Sequence, residues 1–483
     1  LREAIRAGDL DNASFTVGLE LECYAVDDRG RLVPIPGTVF EDAPVEKELG
    51  LHNVEVNTEP SVLDGAGLRE QATSIEHLLD EARRAAGDAG IELVLDGMWT
   101  IPPTGGTVEY LSAVDRIDGV TVAANMRESP RYRALDNDVL ERTGGSVGLD
   151  VPGVDRSFPT ILFESLTTSI QPHLQIPTAE AFPRHYNAAI RTLGPVLALS
   201  TNSPFLPVDL YADCDAYRLV ETTDHELRIP VFEQSVNAGE DPGKVRFPGD
   251  IDRPEDVVDR IVDDLTVAPF LAEWIEDDGA DEAAYSDTFP ELDHKRGTYW
   301  RWLRAVIGGD PVGPGNTRRS LRIEYRPLPT QPTVADVVGL QWLVSGLIRG
   351  IVAEDHPLVE LPWKEAKRCF YGVVADGLDA DLAWIGADGT RTTDPTDVFP
   401  ELFDLARQGL HAAGVPSTAV NDRLRPIEAR WERRLTPSQW KLDRVREGLD
   451  DGLELAGAMD RMQATYRDRS RSGVPFYKWQ QVN

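Results

Sequence analysis

The sequence predicts an α+β fold in which a sheet carries the chemistry and helices pack around it. Two observations lead there. Four segments in the first two-thirds of the chain alternate apolar and polar residues with a period of two, as strands with one dry and one wet face do. Beyond Thr330 the habit changes, with helix-like spacing over 333–353, 363–377, 397–413, 419–432 and 437–465. Residues 14–355 are therefore read as a sheet-based domain with flanking helices, and 356–483 as a mostly helical part packed on it. No internal repeat and no low-complexity linker marks the boundary.

The first strand runs from Phe15 to Val26, with Gly18, Glu20, Glu22 and Tyr24 on one face and Val17, Leu19, Leu21 and Cys23 on the other. Glu20 and Glu22 are neighbours on that face and repel each other unless a cation lies between them. Asp27-Asp28-Arg29-Gly30 reads as a hairpin turn into a strand over Arg31-Leu32-Val33. An acidic segment containing Glu46 and Glu48 leads to His52–Glu59, where Glu55, Asn57 and Glu59 stand together opposite Val54 and Val56. A helix over Leu68–Ala86 and a strand over Ile91–Leu95 follow, then a loop over Gly97–Pro103 and a helix start at Pro130-Arg131-Tyr132.

The third polar-faced strand, Thr168–Pro177, lines Ser169, Gln171, His173 and Gln175 along one side. A histidine between two amides can ligate a metal or touch a nucleotide; a satisfied structural histidine is the competing reading. A helix over Ala179–Leu199 comes next. From Asp213 to Asp293 the chain is acidic and reads as surface loops and short helices without a catalytic cluster, with runs such as Glu276–Glu282 as solvated surface. Tyr299–Arg304 is read as a strand, followed by a glycine-rich loop, Gly308–Gly315, that matches neither a Walker loop nor a dinucleotide fingerprint. After Arg318-Arg319, the fourth strand places Arg322, Glu324 and Arg326 opposite Leu321, Ile323 and Tyr325. A carboxylate flanked by two guanidiniums can hold a divalent cation while the arginines fork onto phosphate oxygens. Simple Arg–Glu–Arg charge pairing on a solvated face is the alternative.

Composition narrows the setting. The 483 residues include 82 acidic and 49 basic ones, for a net charge of −33, and only seven lysines. Such a surface on an ordinary apolar content fits a protein kept soluble in concentrated salt, where screening removes self-repulsion. This points to the cytoplasm of a halophilic archaeon, with a merely acidic mesophilic enzyme as the alternative. No basic footprint for nucleic acid is present. Three scattered cysteines argue against a disulfide framework or a structural zinc site and for a reducing interior. The longest apolar stretch, Val334–Ala353, carries Asp336 and Arg349 and is read as a buried helix, not a membrane span. No signal peptide is read at the start of the chain.

If the four strands are neighbours, one sheet face gathers several carboxylates, a histidine and arginines. Magnesium or manganese with phosphates would balance that charge. The combination describes ATP-driven activation of a carboxylate, with arginine on the transferring phosphoryl group. A glycosidase pair is disfavoured, since the carboxylates are too many and one stands between arginines two residues away on either side.

Gly18-Leu19-Glu20-Leu21-Glu22, Asn53-Val54-Glu55-Val56, the His173 strand and Arg322-Ile323-Glu324-Tyr325-Arg326 together resemble the glutamate–cysteine ligases. The bacterial and archaeal carboxylate–amine ligase branch is the nearer match, and Leu197–Phe205 resembles its Ala-x-Ser-x-Asn-Ser-Pro segment. The resemblance covers roughly Thr16 to Gly372. It implies an antiparallel-sheet funnel shared with glutamine synthetase, ATP as co-substrate, Mg2+ (or Mn2+), and an acyl phosphate of glutamate attacked by the amine of cysteine. It also implies Glu20, Glu22, Glu48, Glu55 and Glu324 as metal ligands and His173 as a metal- or nucleotide-touching residue. Arg326 is implied as the phosphoryl-stabilising guanidinium, with Arg322 as a further phosphate contact. Many branch members carry His-x-His where this chain has His173-Leu174-Gln175. Another amine acceptor, or a noncatalytic nucleotide-binding relative, stays open, as does assembly into a homo-oligomer.

Overall fold

The computed structural model describes residues 1–211, 214–238, 243–265, 290–308, 312 and 320–481. The Glu276–Glu282 run, Arg318-Arg319 and most of the glycine-rich loop lie outside the described residues. The molecule is organised around β1, Thr16–Val26, whose alternating faces let it pair with four other strands. These are β3 (Asn53–Asn57), β4 (Ser61–Val62), β5 (Glu92–Val94) and β10 (Ile170–Ile176). With β2 (Glu46–Lys47), β11 (Leu303–Gly308) and β12 (Ser320–Tyr325) they form a curled, eight-stranded antiparallel sheet. Its order is β11-β12-β10-β1-β3-β2, with β4 and β5 also on β1.

The dry face carries Val17, Leu19, Leu21, Val54, Val56, Leu174 and Ile323, all buried. Helices Gly67–Asp88 and Val334–Ala353 pack on this side, and Gln341 on the second donates to the Gly18 carbonyl at 3.1 Å. Thr333 caps that helix by accepting from Asp336 N. Among the described residues it is the one helix long and apolar enough to cross a membrane, and 83% of its most apolar window is buried inside the protein. Its glycines let helix Pro395–Ala412 approach closely: a Cβ on Gly350 would lie 2.0 Å from the Leu405 carbonyl oxygen.

The C-terminal helices also reach the sheet half through a wholly buried ion pair between Lys441 and Asp96. Gln463 donates to the second Asp96 oxygen at 2.8 Å, and Lys441 lies over the Tyr466 ring at 4.6 Å. These bonds offset the desolvation of both charges.

Several expectations need correction. The hairpin turn at Asp27–Gly30 forms, with Gly30 at φ 80°, but Arg31–Val33 adds only an isolated bridge, Val26 to Leu32, and no full strand. The helix expected over 437–465 breaks into Pro437–Asp450 and Leu455–Arg471, where Gly452 takes the left-handed conformation (φ 87°). The strand expected from Tyr299 begins only at Leu303. Three hairpins were not anticipated: β6–β7 (Val114–Ile117, Val120–Ala123), β8–β9 (Val147–Val151, Val154–Phe158) and β13–β14 (Trp384–Ile385, Arg391–Thr392).

Candidate active site

Register brings the four polar faces together. On β1 and β10, Gly18 stands opposite His173 and Glu20 opposite Gln171. Across β1 and β3, Glu22 faces Glu55 and Glu20 faces Asn57. On the other side, β12 sets Glu324 opposite His173 and Arg322 opposite Gln175, while β11 sets Arg304 opposite Glu324. The result is a cavity of about 370 Å³ over the wet face, also lined by the helix starting at Pro130 and by Arg228 and Phe232 of helix Arg228–Asn237.

Every site residue proposed from the sequence lies at this face, and six of them form two triads. Glu20, His173 and Glu324 bring one ligand atom each to within 4.8 Å of one another; Glu22, Glu48 and Glu55 do the same. Glu48 joins the second triad from the residue after β2. Glu59 lies beyond the end of β3, is exposed, and belongs to neither triad. Arg322 and Arg326 line the cavity with Arg304 and Arg228. A smaller opening of about 200 Å³, lined by Gly18, His173 and Gln175 among others, shares Glu20 and Arg322 with the main cavity.

The two triads differ electrostatically. In the first, Glu324 is 1% exposed and engaged on both oxygens: Arg304 donates to Oε2 from Nη2 at 2.7 Å and from Nε at 2.9 Å, and Arg326 donates to Oε1. Burial alone would raise its pKa, but these guanidiniums outweigh it and hold the carboxyl well below the usual range. His173 Nε2 lies 3.0 Å from Glu20 Oε1. Burial likewise pushes Glu20 up, and His173 and Arg326 bring it below its ordinary value despite Glu324. The Arg–Glu–Arg pairing considered from sequence is thus present, with Arg304 taking the place expected of Arg322. Burial lowers the pKa of Arg322, and its Nε finds no hydrogen-bond partner among the described residues.

The second triad is undercompensated. Ser169 donates to Glu22 from its backbone N–H (2.6 Å) and hydroxyl (3.0 Å), Gln171 adds a third bond at 3.2 Å, and Asn57 donates to Glu55 at 2.8 Å. Even so, burial and then Glu48 push Glu22 up to about 8. Burial followed by Glu20, Glu48 and Glu22 lifts Glu55 well above the carboxylate range, and burial raises Glu48. Three crowded carboxylates that the protein itself does not neutralise could hold a hard divalent cation, whose preferred ligands are oxygens. The first triad, with two oxygens and an imidazole nitrogen, fits such an ion too, sharing Glu324 with two arginines.

Other lining groups were not identified from sequence. Arg304 sat in a segment read only as an approaching strand. Arg228, buried with its guanidinium 5.3 Å from the Trp302 ring centroid and donating to the Arg326 carbonyl at 2.8 Å, opens a helix inside a stretch read as surface. Glu164 lies on a short turn, Ile161–Leu166, whose other named neighbours are apolar or small, so no pattern flags it. Arg131 and Tyr132 were noted only as a helix start, and both line the cavity.

Residues 16–454 match the family model of glutamate-cysteine ligase family 2. The chain belongs to that family. No curated protein matches the chain by sequence. Among solved structures it is similar to a bifunctional glutathione synthetase from Pasteurella multocida, at a TM-score of 0.53 and 14% identity, covering 94% of this chain and 52% of that one. The chain thus spans about half the length of that synthetase. It is also similar to a glutamate–cysteine ligase from Francisella tularensis in complex with AMP, at a TM-score of 0.50 and 12% identity, covering 96% and 94% of the two chains. At these identities the likeness establishes the fold, the glutamine synthetase-like sheet funnel expected from the motifs.

Proposed function

We propose that this family member is an ATP-dependent ligase that activates the γ-carboxylate of glutamate as an acyl phosphate and joins it to the amine of cysteine. The observation that carries the reading is the pairing of two ligand triads with the Arg304–Glu324–Arg326 array on one wall of one cavity. Bound at the triads, Mg2+ or Mn2+ would neutralise phosphate oxygens. Glu20, His173 and Glu324 hold one site, and Glu22, Glu48 and Glu55 the other. Arg326 is kept in place by Glu324 and Gln171, so its planar fork is preorganised for charge developing on the transferring phosphoryl. Arg322, half-buried with a buried and unpartnered Nε, supplies a further phosphate contact on the side of the smaller opening.

Cysteine as acceptor is supported by family membership, and the cavity's carboxylates and guanidiniums do not select a nucleophile. The test is phosphate release from ATP and glutamate with cysteine, α-aminobutyrate and other primary amines in turn. Glutamate-dependent ADP formation completed by cysteine is the expected result. A small pocket separates similar side chains by only about 1–3 kcal/mol, so α-aminobutyrate should turn over more slowly but measurably. Robust turnover with another amine and none with cysteine removes the acceptor assignment and leaves the ligase class.

A further inference from the structure

The cavity contains a carboxylate that neither triad uses. Glu164 lines it from the turn Ile161–Leu166, half-buried, while its neighbours Ile161, Leu162, Phe163, Ser165 and Leu166 are all buried and anchor the turn. Its own carbonyl is tied down by Thr167, from the backbone N–H at 3.0 Å and the hydroxyl at 2.8 Å. The side chain differs from the acidic groups there that have partners. Glu20 meets His173, Glu22 takes Ser169 and Gln171, Glu55 takes Asn57, and Glu324 is held by two arginines. No hydrogen bond or ion pair is recorded to the Glu164 carboxylate among the described residues, and it is not sealed from the cavity.

We propose that Glu164 is the base that takes a proton from the acceptor's ammonium group. The inference rests on the ligase reading above. An amine arrives at neutral pH as R–NH₃⁺ and has no lone pair to attack with. Transfer of one proton to a Glu164 oxygen frees that pair, which forms the C–N bond at the acyl phosphate carbon. The C–O bond to phosphorus then breaks, its electrons leave with phosphate, and the second nitrogen proton departs with the phosphate. Glu164 returns its proton to water.

The surroundings suit the task. Burial, with Glu22 and Glu48 adding repulsion against the pull of Arg228 and Arg326, lifts the carboxyl to about 8. Cations held by Glu22 and Glu48 would cancel that repulsion and bring the carboxyl back towards the ionised form at neutral pH, while burial still makes it a readier proton acceptor than an ordinary carboxylate. Tyr132, Leu135 and Phe232 line the same cavity.

Hydroxylamine separates this step from activation, because it is uncharged at neutral pH and needs no base before it attacks. The full-length protein and its Glu164→Gln variant are compared in two assays with ATP and glutamate. One measures γ-glutamyl hydroxamate formed with hydroxylamine. The other measures ligation with the fastest acceptor among L-cysteine, L-α-aminobutyrate and methylamine. Glu164→Gln should keep hydroxamate formation within about twofold and lose about 10²–10⁴-fold in ligation, the range of a general base. If that variant does not fold, Glu164→Asp carries the test, with ligation reduced and hydroxamate formation retained. Ligation within threefold of the parent, or equal loss in both assays, overturns the proposal. A parent protein that forms no hydroxamate overturns the ligase reading itself, and this inference with it.

Discussion

His173 and Glu324 stand directly opposite each other on adjacent antiparallel strands, with Gly18 opposite His173 on its other side. That register makes a charged site out of three otherwise unrelated segments. It puts an imidazole between two carboxylates, Glu20 and Glu324, and leaves the β1 backbone beside it bare of a side chain. A slip of one residue in β10 would turn His173 to the dry face and dismantle the first triad.

The two triads should answer differently to the same substitution. Glu324→Gln removes the one carboxylate that holds Arg304 and Arg326 and strands both, so it should cost about 3–5 kcal/mol of stability as well as turnover. Glu22→Gln relieves repulsion among three crowded carboxylates. It should raise the stability of the metal-free protein by on the order of 1 kcal/mol while lowering turnover by about 10²-fold or more. Denaturant melts with chelator present, alongside initial rates in Mg2+, check both. A Glu22→Gln protein less stable than the parent would show that the triad is not strained.

Arg326 should tolerate no conservative exchange. Gln171 and Glu324 both accept from Arg326 Nη1, and lysine preserves the charge but offers a single nitrogen in place of a planar group pinned at one end. Arg326→Lys is expected to lower kcat by about 10²–10³-fold with a smaller change in KM, the signature of an interaction made in the transition state. Retention of full kcat would move the phosphoryl role to Arg304 or Arg228.

Stability should depend on salt. With 82 acidic against 49 basic residues, self-repulsion is screened over about 3 Å at molar salt and about 10 Å at tenth-molar. Dialysis into dilute buffer should unfold the protein, and readdition of potassium chloride should restore its circular dichroism. A melting temperature unchanged between the two buffers would remove the halophile reading.

The polar faces of β1, β3, β10 and β12 are legible because strand parity is a property of the local chain: Glu20 and Glu22 share a face whatever they pair with. Glu48 and Glu59 show the limit. Parity ties Glu59 to Glu55, yet β3 ends at Asn57, while Glu48, off any clear pattern, is delivered by the two-residue strand β2. Arg304, Arg228 and Glu164 come to the cavity through pairing and packing between segments distant in sequence, and no local period encodes that. The break at Gly452 was missed for a related reason, since helix-like spacing resumes on its far side and hides the left-handed turn.

His52, just before β3, should make the protein acid-labile in a defined window. It is fully buried, with Nε2 3.0 Å from the Ser165 carbonyl and Nδ1 2.9 Å from the Tyr110 hydroxyl. The neutral ring satisfies both contacts: Nε2–H donates to the carbonyl and Nδ1 accepts from the phenol. Burial lowers its pKa from 6.5 to about 4, the Ser165 bond opposing only in part. The sign follows from proton uptake. Between those values the unfolded chain binds a proton that the folded one excludes, so the stability is fully present above pH 6.5 and drains away as pH falls towards 4. The whole effect is about 3 kcal/mol. Because Ser165 adjoins Glu164, the same bond anchors the turn that carries the proposed base. Denaturant melts at half-unit pH steps, compared between the parent and His52→Gln, isolate this contribution from the many carboxylates. The difference in stability between the two proteins should shrink steadily below pH 6.5, and a difference independent of pH would mean that His52 is not held neutral.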